Sequence, residues 1–119
     1  MNNKEFGKQL ENRTKMFALK VIKHSSRIPI SIESRVLKNQ LTKSGTSIGA
    51  NYREANRPRS KADFKNKISI CESEASETVY WLELIEMLNY TDKSELITLI
   101  KESKELLAIF TSINRNIKI

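Results

Sequence analysis

Apolar side chains recur every three or four positions along four long stretches of the chain, the spacing at which residues share one face of an α-helix. In the first stretch Leu10, Thr14, Phe17, Val21, His24 and Ile28 form one stripe. Pro29 disfavours helix at the residue before it and Ser31 can cap the next helix, which predicts a first helix over about residues 3–26. The second, over about 32–55, carries Leu37, Leu41, Ile48, Tyr52 and Ala55 and ends before Asn56-Arg57-Pro58-Arg59. Ser60 with Asp63 resembles a capping box, with Asp in place of Glu, and opens a third helix over about 60–90. Asp92 with Glu95 repeats the pattern more weakly and opens a fourth over about 92–117, striped by Leu96, Leu99, Ser103, Leu106, Phe110, Ile113 and Ile117. Short connections between long helices favour antiparallel neighbours. The expected fold is all-α, a single up-down-up-down antiparallel four-helix bundle over residues 1–119.

The third helix carries two stripes. Phe64, Ile68, Cys71, Ala75, Thr78, Leu82 and Ile85 form one; Ile70, Glu74, Glu77, Trp81, Leu84 and Leu88 form another about 100° around the axis. A wide core closed by Trp81 explains the second stripe without further contacts. A contact with another protomer explains it better, because an exposed line of Ile70, Trp81, Leu84 and Leu88 is a sticky patch. Glu74 and Glu77 within that stripe have the chemistry of a general acid and base or of metal ligands. The only histidine, His24, does not follow a Glu at the spacing that di-iron bundles use, so pairing with Arg or Lys across a helix or subunit contact is the preferred role. His24 itself reads as a packed or helix-capping histidine, and Cys71 as an inert core thiol.

In the second helix, Gly45 and Gly49 each cost about 1 kcal/mol relative to alanine. Four residues apart, they share a face and let another helix approach closely. Beside them Ser44, Ser47, Asn51 and Glu54 form a polar stripe. Ser44-Gly45-Thr46-Ser47 offers hydroxyls to a small molecule or phosphate, but the phosphate-loop spacing and its preceding strand are missing. A hydrogen-bonded ladder that fixes helix register is preferred, and no base but His24 supports a serine nucleophile.

Composition sharpens this picture. At 119 residues the chain has room for one core, and 39% apolar residues with only three Gly and two Pro argue against both disorder and a many-stranded sheet. No apolar run is long enough to cross a membrane, Met1-Asn2-Asn3-Lys4-Glu5 lacks the order of a signal peptide, and one cysteine permits no internal disulfide. The expected location is the cytoplasm. Charge is uneven: net +5 over residues 1–27, +4 over 28–59, −3 over 60–91 and +1 over 92–119, for a total of +7. Such asymmetry attracts a polyanion, or lets the basic half of one copy meet the acidic segment of another, unless it is merely a solvated face. Lys4, Lys8, Lys15, Lys20, Lys23, Arg53, Arg57 and Arg59 are the candidate nucleic-acid contacts, to the backbone rather than to bases, since no platform of exposed aromatics is evident.

The stretch Ser44-Gly45-Thr46-Ser47-Ile48-Gly49-Ala50-Asn51-Tyr52-Arg53-Glu54-Ala55 resembles the bacterial four-helix-bundle family named for the 23S rRNA intervening sequence. So does Ser60-Lys61-Ala62-Asp63-Phe64 followed by Glu74-Ala75-Ser76-Glu77-Thr78-Val79-Tyr80-Trp81-Leu82-Glu83-Leu84, and the resemblance extends over roughly residues 5–117. It implies a homopentamer, no enzyme activity and no cofactor. A related basic pentameric bundle, the accessory protein of diversity-generating retroelements, engages reverse transcriptase and nucleic acid, so RNA or DNA and such a protein are the implied partners. The resemblance marks Ser44, Ser47, Asn51, Glu54, Glu74, Glu77 and Trp81 as recurring positions; Lys43 stands where arginine is expected, which removes bidentate pairing there. Two functions are open: a non-enzymatic homo-oligomer that binds nucleic acid or a nucleoprotein through its basic half, or a protein–protein scaffold whose basic charge is incidental.

Overall fold

The computed structural model describes residues 2–118. Among them are four α-helices and no strand: α1 (Asn3–Ser26), α2 (Ile32–Ala55), α3 (Lys61–Leu88) and α4 (Lys93–Arg115). α1 packs on α2, α2 on α3 and α3 on α4, while α1 also meets α4 and does not pack on α3. The molecule measures 45 × 26 × 19 Å.

Local chemistry sets the ends. Asn2 caps α1 by accepting the Glu5 N–H at 2.8 Å. The full capping box belongs to Ser31 and Ser34: each hydroxyl accepts the other's backbone N–H, at 3.0 and 2.8 Å. At α3 the expected box is only half made. Ser60 accepts from Asp63 N–H, but the Asp63 carboxylate accepts from Arg59 N–H, one residue further back, so the helix starts at Lys61. At α4 the expected partner is wrong. Asp92 accepts from Ser94 N–H, while Glu95 turns away to His24 and Arg27. α3 stops at Leu88 rather than 90 because Asn89 adopts the left-handed conformation, φ 56°. α4 ends at Arg115, which leaves Ile117 half-buried beyond the helix.

The predicted stripes meet in one core. Phe17, Leu41, Ile48, Ile68, Leu82, Leu96, Leu106 and Phe110 are fully buried, and Tyr52 of α2 meets Phe110 of α4 edge to face at 5.4 Å. Side chains of this size each contribute about 1.5–3 kcal/mol when removed from water. Polar core residues are satisfied: the buried Thr78 hydroxyl lies 2.9 Å from that of Ser44 and 2.7 Å from the Glu74 carbonyl, joining α3 to α2. No buried side-chain nitrogen or oxygen among the described residues lacks a hydrogen-bond partner.

Candidate functional site

A groove of about 500 Å³ runs along the junction of α1 and α2. Its floor is small: Ala18 from α1, and Thr46, Gly49 and Ala50 from α2. Helix approach keeps it so, since a Cβ on Gly49 would fall 3.0 Å from Thr14 Oγ1 and 3.3 Å from the Thr14 backbone. Four cations stand on its rims, Lys8 and Lys15 from α1, Arg53 from α2 and Arg57 just beyond it. All four are exposed, and none forms an ion pair among the described residues. Glu11 is the one carboxylate in the lining, and it accepts the Asn56 amide at 2.8 Å. At 1.5 Å per residue the lysines are about 10 Å apart along α1, on the scale of three phosphates of one strand.

The other candidate cations lie elsewhere. Lys20 lines a separate groove of about 320 Å³ between α1 and α4, with Arg13, Met16, Lys101, Glu102 and Glu105. It follows Lys15 by five residues, about 140° around the axis. Arg59 sits with Pro58, Phe64 and Ile117 at a cavity of about 600 Å³. Lys4 and Lys23 are exposed and line neither groove. The eight cations therefore do not share one surface.

The polar stripe of α2 turns toward α3. Ser44 is buried, Ser47 and Asn51 are half-buried and Glu54 is exposed. Asn51 donates to the Ser47 carbonyl at 2.8 Å, and the Ser47 hydroxyl to the Lys43 carbonyl at 2.6 Å. On the second stripe of α3, Ile70, Glu74, Glu77, Trp81 and Leu84 are half-buried and Leu88 is exposed. Trp81 Nε1 donates to Glu77 at 3.2 Å, and Trp81 meets Tyr80 edge to face at 5.0 Å. Pairing of Glu74 and Glu77 with Lys or Arg is absent within the chain: neither makes an ion pair among the described residues. Desolvation, and then the charge of Glu77, push the Glu74 carboxyl above its ordinary value against the opposing pull of Ser47 and Lys43. Among the described residues no three His, Cys, Asp or Glu side chains gather as metal ligands.

Two polar clasps between α1 and α4 escaped the sequence. Arg13 donates from Nε and Nη2 to the two oxygens of Glu102, both at 2.7 Å, and reaches Glu105 at 3.1 Å. His24, fully buried, holds Nδ1 2.6 Å from Glu95 and Nε2 2.8 Å from Thr91, and Arg27 donates to both Glu95 oxygens. His24 chiefly, with Arg27, pulls the Glu95 carboxyl below its ordinary value. The only signal was His24 on an apolar stripe; its partners are 71 and 67 residues away in sequence.

The architecture is that of a small all-helical protein with a cationic groove on one helix pair. The profile of the 23S rRNA-intervening sequence protein family matches residues 8–112, and the chain belongs to that family. A crystal structure of a protein of unknown function from the S23 ribosomal protein family of Bacteroides thetaiotaomicron is similar at a TM-score of 0.81 and 34% identity, over 89% of this chain and 98% of that one. No curated protein matches the chain. No helix among the described residues is long and apolar enough to cross a membrane.

Proposed function

We propose that this chain is a non-catalytic, homo-oligomeric up-down-up-down four-helix bundle that grips the sugar–phosphate backbone of RNA or DNA in its α1–α2 groove. The observation that carries the reading is the gathering of Lys8, Lys15, Arg53 and Arg57 around a floor of small residues, with Glu11 occupied by Asn56. Four unpaired cations around one groove suit backbone contacts that carry no sequence information. The groove lining has no aromatic side chain on which a base would stack, which favours a duplex over a single strand. Antiparallel helix directions are supported by Arg13 facing Glu102 while His24 faces Glu95, and by Ser44 facing Thr78 while Ile48 faces Cys71. Membership of the family supports a pentamer, in which five copies multiply the net charge of +7. A cytoplasmic location and a nucleoprotein partner such as a reverse transcriptase complex belong to the same reading.

Fluorescence anisotropy with a short RNA duplex at about 0.15 M salt tests the groove. Replacing Lys8, Lys15, Arg53 and Arg57 with Gln abolishes binding while the helical circular dichroism is kept. Unchanged affinity removes the groove from consideration and leaves the scaffold reading, which the unpaired Glu74 and Glu77 beside Trp81 favour.

A further inference from the structure

We infer that copies of this chain meet head to tail, the outer face of α1 on one copy lying against the α2–α3 seam of the next. This rests on the homo-oligomeric reading above and adds which faces meet. The outer face of α1 is not built for water alone. Met16, Leu19 and Ile22 are 43%, 41% and 46% exposed and succeed one another at intervals of three, so they stand on one side of the helix. Lys20 and Lys23 are exposed beside them and form no ion pair among the described residues.

At the α2–α3 seam the second stripe of α3, which borders α2 at Glu74, has the same apolar character and carries the opposite charge. Trp81 and Leu84 are half-buried and Leu88 is 49% exposed. Glu74 and Glu77 lie on the same stripe, partly removed from water beside each other; neither forms an ion pair among the described residues, and only the charge of Lys43 of α2 pulls on Glu74. Two half-desolvated carboxylates side by side repel, and lysines delivered by another copy relieve that repulsion. The chain-wide asymmetry agrees, with net +5 over residues 1–27 and −3 over residues 60–91.

A cationic apolar face repels its own kind and attracts an anionic apolar one. The contact is therefore heterologous: each copy offers α1 to one neighbour and its seam to another. The fold permits this, because α1 packs on α2 and α4 but not on α3, so the two faces lie on different sides of the molecule. Repeated contacts of this kind close into a ring when the rotation between copies allows.

Light scattering on purified variants decides it. The wild type is expected to run as a multimer of the 13.7 kDa chain. Lys20→Glu with Lys23→Glu, and separately Glu74→Lys with Glu77→Lys, each fall to protomer mass with helical circular dichroism unchanged. An equimolar mixture of the two regains a higher mass, because each reversed face finds its complement on the other variant. Leu19→Asp with Ile22→Asp, both at exposed positions, also falls to protomer mass and decides the matter where the Glu74 variant loses helix. A wild-type multimer whose reversed variants keep their mass, or a mixture that stays protomeric, overturns the pairing of these faces while oligomerisation stands. A wild-type monomer at about 100 µM, roughly a thousandfold above the Kd of a tight complex, overturns the oligomeric reading itself.

Discussion

Val21 of α1 occupies the space that a side chain at Gly45 of α2 would need: a Cβ there would fall 2.8 Å from Val21 Cγ1 and 3.1 Å from Cγ2. Both positions are buried, and valine has little rotamer freedom with which to yield. Gly45→Ala therefore destabilises by about 1–3 kcal/mol through overpacking, although alanine favours an exposed helix by about 1 kcal/mol. Combined with Val21→Ala it costs less than the sum of the two single changes. Urea midpoints of the four proteins check this, and strict additivity would show that Val21 is not what Gly45 accommodates.

Acid weakens the clasp between α1 and α4. Glu95 titrates below the usual carboxylate range in the folded chain, because of His24 first and Arg27 after it. A carboxyl depressed in this way binds fewer protons folded than unfolded, so its contribution is present above the unfolded value and lost as pH falls through the folded one. Glu72, held by Asn114 and Thr111, shifts the same way. Urea midpoints are expected to fall from about pH 5 downward, and more steeply in wild type than in Glu95→Gln. Because Glu95 is 41% exposed, its charge contributes under about 1 kcal/mol. Equal slopes in the two proteins would remove Glu95 as a source of acid sensitivity.

The groove makes a quantitative statement about salt. Each phosphate contact contributes about 0.9 to the slope of log affinity against log salt concentration on duplex DNA. Arg53→Gln with Arg57→Gln should lower that slope by about 2 while weakening binding alike for unrelated sequences. A slope unchanged from wild type would place the arginines outside the contact.

Cys71 is sealed in the core. Burial pushes its thiol up to about 12, and its sulfur approaches the Ile48 carbonyl at 3.5 Å. The thiolate is the reactive form, so the native chain should resist a thiol-specific chromogenic disulfide at pH 8 and react stoichiometrically once unfolded in urea. Rapid labelling of the folded protein would mean that α2 and α3 separate readily.

The helices were legible because each is specified locally. Stripes at a spacing of three and four, Pro29 after α1 and the hydroxyls of Ser31 and Ser60 act within a few residues of where they stand. Gly45 and Gly49 likewise announced a close helix approach, since loss of the Cβ has one common use inside a helix. Where the reading slipped, a long-range partner had intervened: Glu95 sits where a capping residue belongs, yet His24 and Arg27 claim it.

The sequence by itself determined four amphipathic helices, the residues on their inner faces and the excess of cations in the first half. Only the tertiary structure decided that Lys8, Lys15, Arg53 and Arg57 share a groove, that Lys20 faces α4 instead, and that Arg13 and Glu102 clasp across 89 residues. The physical reason is that periodicity fixes the direction of a side chain around its own helix. Which side chains meet across two helices depends on their stagger and rotation, and those are set by how Val21 and Thr14 seat against Gly45 and Gly49.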